Sequence, residues 1–194
     1  MMLRRTVTAA GLVLISTIIL SGCNPYMAAV SLTTQAYSVA TDVRSVSTQA
    51  ADTAIEAQIK AALLASPVSG TAGITVYCRQ GEVVLAGVLP RRAPAGFAAV
   101  RIARDTSGVR RVETFYVDGQ PDAVADFALK TQIKTTLISD PRLTSGQVDV
   151  GVYAGHVVLV GIVDSWQRVE DFREDVRSVP GVMSVRSYVQ VGAL

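Results

Sequence analysis

The chain has 194 residues, enough for one medium domain or two small ones. Its 18 basic and 16 acidic residues leave a formal net charge of +2. This near balance argues against nucleic acid as a general partner, because proteins that bind nucleic acid present a basic field.

The first 22 residues have the layout of a secretory signal peptide. Two arginines near the start precede an uncharged run of 14 residues, 7–20, which is shorter than the ~20 residues of a membrane-spanning helix. The run ends in Leu-Ser-Gly-Cys at positions 20–23, which resembles the lipobox of bacterial lipoproteins. That resemblance implies cleavage before Cys23 and acylation of its thiol and its new amino group. Two or more acyl chains make a stable membrane anchor.

The residue after this cysteine bears on the membrane in which the protein is expected. It is Asn24 rather than Asp, which by resemblance to lipoprotein sorting favours the outer membrane. We therefore expect a lipid-anchored protein on the periplasmic face of the outer membrane. Removal of the signal peptide takes away two of the 18 basic residues, so the mature chain has 16 of each sign and no net charge. Acylation of Cys23 leaves Cys78 without a cysteine to pair with, so the fold must be held by packing.

Residues 23–51 are predicted to form a tether between the lipidated cysteine and the folded part. The segment is rich in Ala, Ser, Thr and Val, and Pro25 breaks its start. Within it, the stretch 41–49 is less uniform and contains Asp42 and Arg44. Two interpretations of this stretch are open: a polar linker, or a segment that docks on the folded domain.

The rest of the chain contains one sequence unit twice. Ala-Gln-Ile-Lys at 57–60 matches Thr-Gln-Ile-Lys at 131–134, an offset of 74 residues. The same offset pairs Gly-Glu-Val-Val-Leu-Ala-Gly at 81–87 with Gly-His-Val-Val-Leu-Val-Gly at 155–161. Matches at one constant spacing indicate an internal repeat, and each repeat is expected to be one folded unit.

Each repeat predicts the order helix, strand, strand, helix, strand. In the first, an apolar residue recurs every fourth position from 55 to 63, as on one face of a helix, and 74–79 alternates between inward apolar and outward residues, as in a half-buried strand. A glycine, Gly81 or Gly155, supplies the positive φ of a tight hairpin. A hairpin followed by a helical crossover gives an α+β fold, in which a small three-stranded mixed sheet carries both helices on one face.

This pattern resembles the BON domain, a module of bacterial envelope proteins. With the lipobox, the tether and two repeats, the whole chain resembles the dual-BON outer-membrane lipoproteins. The resemblance implies tandem BON domains at 52–119 and 122–194, and binding of anionic phospholipid membranes through the first helix of the second domain. It also implies a role in outer-membrane integrity, gathering at the division site and a link to the barrel-assembly machinery. We expect no cofactor.

A catalytic centre is not expected, because the groups that catalysis requires do not converge in this sequence. The one histidine, His156, falls in a hairpin turn, and Cys78 takes an inward strand position that suits a small core residue. No Cys/His cluster offers a metal site, and no Gly-rich phosphate loop is present. The acidic pairs between 170 and 175 are interleaved with arginines, which is typical of a salt-bridged, solvent-exposed helix face.

The first helix of the second repeat carries the candidate binding surface. At 100° per residue, an apolar stripe faces the sheet, and an aromatic, a lysine and an isoleucine fall on the opposite side with a second lysine flanking them. Such apolar side chains can enter the headgroup boundary of a membrane while the lysines meet anionic lipid phosphates. The predicted lipid-binding residues are Phe127, Lys130, Thr131, Lys134 and Ile138.

The first repeat lacks this combination. It has Thr53 where the second has Phe127, and Glu56 where the second has Lys130, so we predict that only the second repeat contacts lipid. In the alternative, Phe127 caps the core or packs against the first repeat. A rival function of another class is a periplasmic protein-interaction adaptor for an outer-membrane assembly complex. Such an adaptor would dock through the basic second helix of the first repeat or the acidic second helix of the second.

Overall fold

The computed structural model describes residues 45–140 and 147–192, which belong to one compact unit. The predicted signal peptide (1–22), Cys23 and most of the predicted tether lie outside the described residues. Each repeat folds in the predicted order of helix, strand, strand, helix and strand. The first repeat consists of α1 (Val46–Ala65), a short 3-10 turn (Thr71–Gly73), β1 (Thr75–Arg79), β2 (Glu82–Val88), α2 (Pro94–Asp105) and β3 (Arg111–Val117). The second consists of α3 (Ala123–Ser139), β4 (Val148–Tyr153), β5 (His156–Val163), α4 (Trp166–Ser178) and β6 (Ser184–Val191).

The first helix starts earlier than the sequence predicts. α1 begins at Val46, inside the stretch 23–51 that we assigned to the tether. The Ser45 hydroxyl caps the helix by accepting a hydrogen bond from the N–H of Thr48 at 3.2 Å. The last part of the stretch 41–49 is therefore the first turn of α1, and the choice between a polar linker and a docking segment stays open. Periodicity does not reveal this first turn, because its side chains lie at or near the surface.

Each repeat forms one three-stranded mixed sheet. The hairpin strands β1 and β2 are antiparallel, with Cys78 opposite Val83, and the chain returns through α2 so that β3 pairs parallel with β2. The second repeat does the same with β4, β5 and β6. The predicted α+β fold, with two small mixed sheets and two helices for each, is confirmed.

Both helices of a repeat pack on the same face of its sheet. In the first repeat Ile59 and Leu63 of α1 meet Cys78 of β1, and three alanines of α2 complete this core. In the second repeat the layer holds larger side chains, including the fully buried Phe172 of α4. Cys78 is also fully buried, and burial raises the pKa of its thiol to about 12. This is the behaviour of a core residue rather than of a reactive thiol.

The opposite faces of the two sheets pack against each other and form a third core. Its buried members are Val84, Ala86, Phe115, Val117, Val158 and Val160. The layers therefore run helices, sheet, sheet, helices. The relative orientation of the repeats does not follow from the sequence, although the nearly unbroken apolar run at 157–163 is typical of a strand that is buried on both faces.

Side-chain contacts hold the two sheets in one arrangement. The hydroxyl oxygens of Tyr77 and Tyr153 lie 3.1 Å apart, and an ion pair joins Arg79 to Asp149. A Cβ on Gly151 would lie 2.5 Å from the Tyr77 hydroxyl oxygen, so any other residue there would force its neighbours to move. Tyr77 and Gly151 are 74 residues apart and take the same position in their repeats. The interface thus places the large residue of one copy against the small residue of the other.

Candidate functional site

The candidate surface is carried by α3, the first helix of the second repeat. Asp122 begins the helix as its N-cap, and its carboxylate accepts a hydrogen bond from the N–H of Ala125 at 2.9 Å. One face buries Leu129, Ile133 and Leu137 in the core, at the spacing that the sequence predicts. This packing fixes the rotation of the helix and therefore which side chains point away from the sheet.

The outward side of α3 exposes large apolar side chains. Phe127 is 72% exposed and Ile138 is 69% exposed, so neither is buried in the core or against the first repeat. Val124, which the sequence analysis missed, is 81% exposed and lies within about 60° of Phe127 around the helix. Helical periodicity at 100° per residue was the available signal for Val124, because it lies one turn before Phe127 on the same side of the helix. We call Val124, Phe127, Lys134 and Ile138 the α3 outer face.

Two lysines accompany these apolar side chains. Lys134 is exposed, and Lys130 is half-buried at the flank of the helix. In the described residues no carboxylate lies within ion-pair distance of either ammonium group. Burial, and then the charge of Lys134, lowers the pKa of Lys130 below its ordinary value. Thr131 is exposed, but its hydroxyl donates to the backbone oxygen of Phe127 at 2.9 Å, so that proton is used within the helix.

The equivalent face of α1 differs in its charges. The ammonium group of Lys60 lies 3.5 Å from the Glu56 carboxylate. Glu56 also accepts a hydrogen bond from the N–H of Cys78 at 2.8 Å and lies 3.5 Å from the guanidinium of Arg79. Where α3 has its aromatic, α1 has the small, polar Thr53. The acid of α1 is therefore engaged by its own domain, and the nearby lysine is paired.

In each repeat, one aspartate ties the first helix to the hairpin, and neither aspartate was predicted from the sequence. Asp126 accepts hydrogen bonds from the N–H groups of Ala154 at 2.8 Å and Gly155 at 3.0 Å. Both central residues of this turn have positive φ, which is costly for Ala154 (φ 48°), and the carboxylate holds the turn in place. Asp52 does the same in the first repeat, and the offset of 74 between the two aspartates was the available signal. Because Asp126 directly precedes Phe127, this contact also positions the start of the α3 outer face.

The sequence profile of the BON domain family matches residues 51–115 and 125–193, one match in each repeat. This chain belongs to the BON domain family. It is also 32% identical over 142 residues to the osmotically-inducible protein Y of Escherichia coli strain K12, and the match covers 70% of this chain and 70% of that protein. These findings confirm the two tandem BON domains that the sequence predicts.

This dual-BON protein is similar to two solved structures of CdsD, a structural protein of the type III secretion system of Chlamydia trachomatis. One match has 15% identity and a TM-score of 0.29, and it covers 74% of this chain and 64% of that chain. The other, to the C-terminal domain of CdsD, has 15% identity and a TM-score of 0.30, and it covers 73% of this chain and 67% of that chain. The BON chain thus spans about two thirds of each.

Other polar groups of the second BON domain take part in structural contacts. His156 Nδ1 lies 2.7 Å from the Ser184 hydroxyl oxygen, where β5 begins. On α4, Glu170 pairs with Arg173 at 2.7 Å, in agreement with the predicted salt-bridged face. Asp171 departs from that prediction, because it is buried and accepts a hydrogen bond from a neighbouring side-chain amide. The acidic helix is therefore only partly a solvent face.

In the part of the chain that the structure describes, no cluster of three or more His, Cys, Asp or Glu side chains is placed to hold a metal ion. No helix in that part is both long and apolar enough to cross a membrane. The α3 outer face offers apolar contact together with positive charge. Those two properties suit the surface of an anionic membrane.

Proposed function

We propose that this protein is a non-catalytic outer-membrane lipoprotein that binds anionic phospholipid through the α3 outer face. The observation that carries the proposal is the coincidence, on one helix, of the exposed Phe127 and Ile138 with lysines that have no carboxylate partner in the described residues. A helix that lies on a membrane needs both components. Its apolar side chains enter the headgroup boundary, and its cations meet lipid phosphates.

The free energies expected for these contacts are consistent with reversible binding of the α3 outer face to a membrane. Each lysine near an anionic surface contributes about 1 kcal/mol. Burial of Phe127 or Ile138 contributes roughly 1.5–3 kcal/mol for each side chain. These gains are opposed by the loss of translational and rotational freedom, which costs about 4 kcal/mol or more. An acyl anchor reduces that cost by keeping the helix close to the leaflet, so a surface of modest affinity is sufficient.

The wider role rests on the family resemblance. In this proposal the acylated Cys23 holds the protein on the periplasmic face of the outer membrane, where it supports envelope integrity and gathers at the division site. The relationship to an osmotically-inducible protein supports a role under stress on the envelope. The α3 outer face then acts on the leaflet to which the protein is already attached.

Co-sedimentation with liposomes tests the proposal. Residues 24–194, from which Cys23 is removed so that no acyl chain contributes, are mixed with vesicles of phosphatidylglycerol or of phosphatidylcholine. We expect the wild type to bind only the anionic vesicles. The variants F127A/K134E and I138A/K134E should each lose binding by at least about tenfold, since tenfold corresponds to only about 1.4 kcal/mol.

The first BON domain provides the matched control. Leu64 and Lys60 take the places of Ile138 and Lys134, and Leu64 is about as exposed as Ile138. The L64A/K60E variant should therefore bind anionic vesicles as the wild type does, with circular dichroism used to check that every variant is folded. Equal loss in the variants of both domains, or a wild type that ignores both kinds of vesicle, contradicts the proposal.

A second candidate function is supported by α2 of the first BON domain. Phe97 is 67% exposed there, and the exposed Arg101 and Arg104 lie on its side of the helix. Such an apolar and basic surface suits an acidic protein partner, and the family resemblance implies the barrel-assembly machinery. The R101E/R104E variant should then lose binding to the purified machinery and keep vesicle binding, whereas F127A/K134E should do the reverse. Undiminished binding of the machinery by R101E/R104E counts against this candidate.

A further inference from the structure

A cleft of about 440 Å³ opens between the two BON domains, beside the N-terminal half of α3. Small-molecule sites in proteins commonly span about 300–1,000 Å³, so the space is sufficient for a lipid headgroup. Residues of β1 in the first domain and of β4 in the second form its walls, and the exposed Phe127 stands at its rim. The cleft therefore adjoins the α3 outer face.

Lys130 contributes a cation to this cleft. A half-buried ammonium group has lost part of its water and is stabilised by a nearby anion. Asp126 also lines the cleft, but its two oxygens accept hydrogen bonds from the N–H groups of the β4–β5 hairpin. Since no carboxylate of the described residues pairs with Lys130, an anion from outside the protein would complete the site.

Two tyrosine hydroxyls line the same cleft, one from each domain. The hydroxyl oxygens of Tyr77 and Tyr153 are 3.1 Å apart. A hydrogen bond between two hydroxyls uses one of their two protons, so the second O–H can donate to a ligand oxygen. Burial raises the pKa of both hydroxyls, so they remain protonated donors across the physiological pH range.

The rest of the lining is apolar or small. Val88 and Val152 are apolar, and Gly73 and Gly151 have no side chain. A Cβ on Gly73 would meet no atom within 4 Å, so the space beside it is open. An anion that carries hydrocarbon fits this lining better than an inorganic ion, because its apolar part is removed from water.

We propose that the cleft binds the phosphodiester headgroup of one anionic phospholipid. The Lys130 ammonium and a tyrosine hydroxyl contact the phosphate oxygens, and the first acyl methylenes lie against Phe127. This inference rests on the proposed function and deepens it, because α3 then recognises a leaflet through a lipid that the protein holds individually. In the first BON domain Glu56 takes the place of Lys130, so the equivalent position repels an anion.

Short-chain lipids test the cleft separately from the membrane surface. Dihexanoyl phosphatidylglycerol, kept below the concentration at which it forms micelles, is titrated into the chain from residue 24 onward without Cys23, which contains the whole compact unit. The NMR amide signals of Gly73 and Gly151 report binding. We expect saturable one-to-one binding of this lipid. Dihexanoyl phosphatidylcholine should bind more weakly, because its choline cation is repelled by Lys130.

Three variants separate the cleft from the α3 outer face. K130Q removes the cation from the cleft and should weaken binding about tenfold, the effect of losing one charge-assisted hydrogen bond. G73L places a side chain in the open space of the cleft, and we expect it to weaken binding at least as much because it excludes the ligand. K134Q removes a lysine that does not line the cleft, and it should change the affinity for the short-chain lipid by less than about twofold. We expect G73L to fold, because a side chain at this position has room.

The outcomes distinguish the cleft from the proposed function. Equal loss of short-chain lipid binding in K130Q and K134Q, with full binding by G73L, contradicts the proposal that the lipid binds in the cleft. Inorganic phosphate or glycerol 3-phosphate that binds as tightly as the lipid overturns a phospholipid as the occupant. If the wild type binds vesicles but no short-chain lipid, the cleft fails and the proposed function stands. If it binds neither, both fail.

Discussion

The two BON domains share one fold, but their first helices differ in how their charges are satisfied. In α1, Glu56 pairs with Lys60 and accepts a hydrogen bond from the N–H of Cys78, so it stabilises its own sheet. In α3, Lys130 stands at that position, and neither it nor Lys134 has a carboxylate partner in the described residues. A change from acid to base at one position of the repeat thus turns a self-contained helix into one that is available to an external anion.

A second difference between the copies lies where their sheets meet. Tyr77 and Gly151 occupy equivalent positions, and each contacts the other domain at that place. Two tyrosines would collide there, and two glycines would leave a void, which close-packed interiors do not tolerate well. The differences between the two copies therefore supply a complementary interface, and they give α3 an outer face that α1 does not have.

The largest effect is expected where the sheets meet. The G151V change drives a side chain against Tyr77, Val158 and Tyr153, and we expect the free energy of unfolding to fall by about 3 kcal/mol, measured by urea denaturation. G73A is the matched control, because a Cβ at that position meets nothing within 4 Å, and it should change stability by less than about 1 kcal/mol. Wild-type stability in G151V would mean that the contact with Tyr77 does not hold the sheets together.

The two hairpin aspartates should differ in the cost of their removal. Asp52 is almost fully buried and also accepts a hydrogen bond from the Cys78 thiol at 3.4 Å, so D52A should cost about 3 kcal/mol and D126A about 2 kcal/mol in free energy of unfolding. D126A should in addition weaken binding to anionic vesicles, because it releases the start of the α3 outer face. D52A should leave vesicle binding unchanged at temperatures where it is folded, and equal loss of binding in both variants would contradict this division of roles.

Exchange of the two helix faces tests the comparison directly. The T53F/E56K variant gives the first BON domain the residues of the second, and we expect binding to anionic vesicles to rise at least about threefold, since one added lysine contributes about 1 kcal/mol at such a surface. The reverse variant, F127T/K130E, should lose binding. T53F/E56K should also lose about 1–2 kcal/mol of stability, because the N–H of Cys78 loses its acceptor. Unchanged vesicle binding in T53F/E56K would show that the helix face alone does not determine the difference.

The smallest effect concerns Lys130 and the stability of the fold. Burial lowers the pKa of Lys130, so the folded protein holds its proton less tightly than the unfolded chain does. At neutral pH, where Lys130 is protonated in both states, its burial therefore lowers the free energy of unfolding. This loss disappears as the pH rises from the lowered pKa to the ordinary value of 10.5. K130Q should be more stable than the wild type at pH 7, by about 0.5 kcal/mol or less, and this advantage should vanish near pH 10.5. A K130Q variant that is less stable at pH 7 would refute this interpretation.

Helical periodicity was sufficient to predict the orientation of α3. The burial of Leu129, Ile133 and Leu137 fixes the helix, and the outward direction of Phe127 and Ile138 then follows from 3.6 residues per turn. The role of these side chains in lipid binding stays a prediction. The alternative in which Phe127 is buried against the first domain does not fit its exposure.

Other features depend on contacts that periodicity does not contain. The start of α1 is set by the Ser45 cap rather than by a buried stripe, and the hairpin turns are set by carboxylates about 28 residues away in sequence. The apolar run at 157–163 indicated that β5 is covered on both faces, but it does not identify the surface that packs against it. The cleft exists only because Tyr77 and Tyr153 are brought together by that stacking.

The order of the layers gives the molecule two helical surfaces that face in opposite directions. When α3 lies on a leaflet, α1 and α2 are turned away from it by the thickness of two sheets and a helix, roughly 30 Å. Phe97 and Arg101 of α2 then remain open to the surrounding solution. Under the proposed function, engagement of lipid on one side therefore leaves the other side open, as a bivalent bridge between a bilayer and a soluble partner requires.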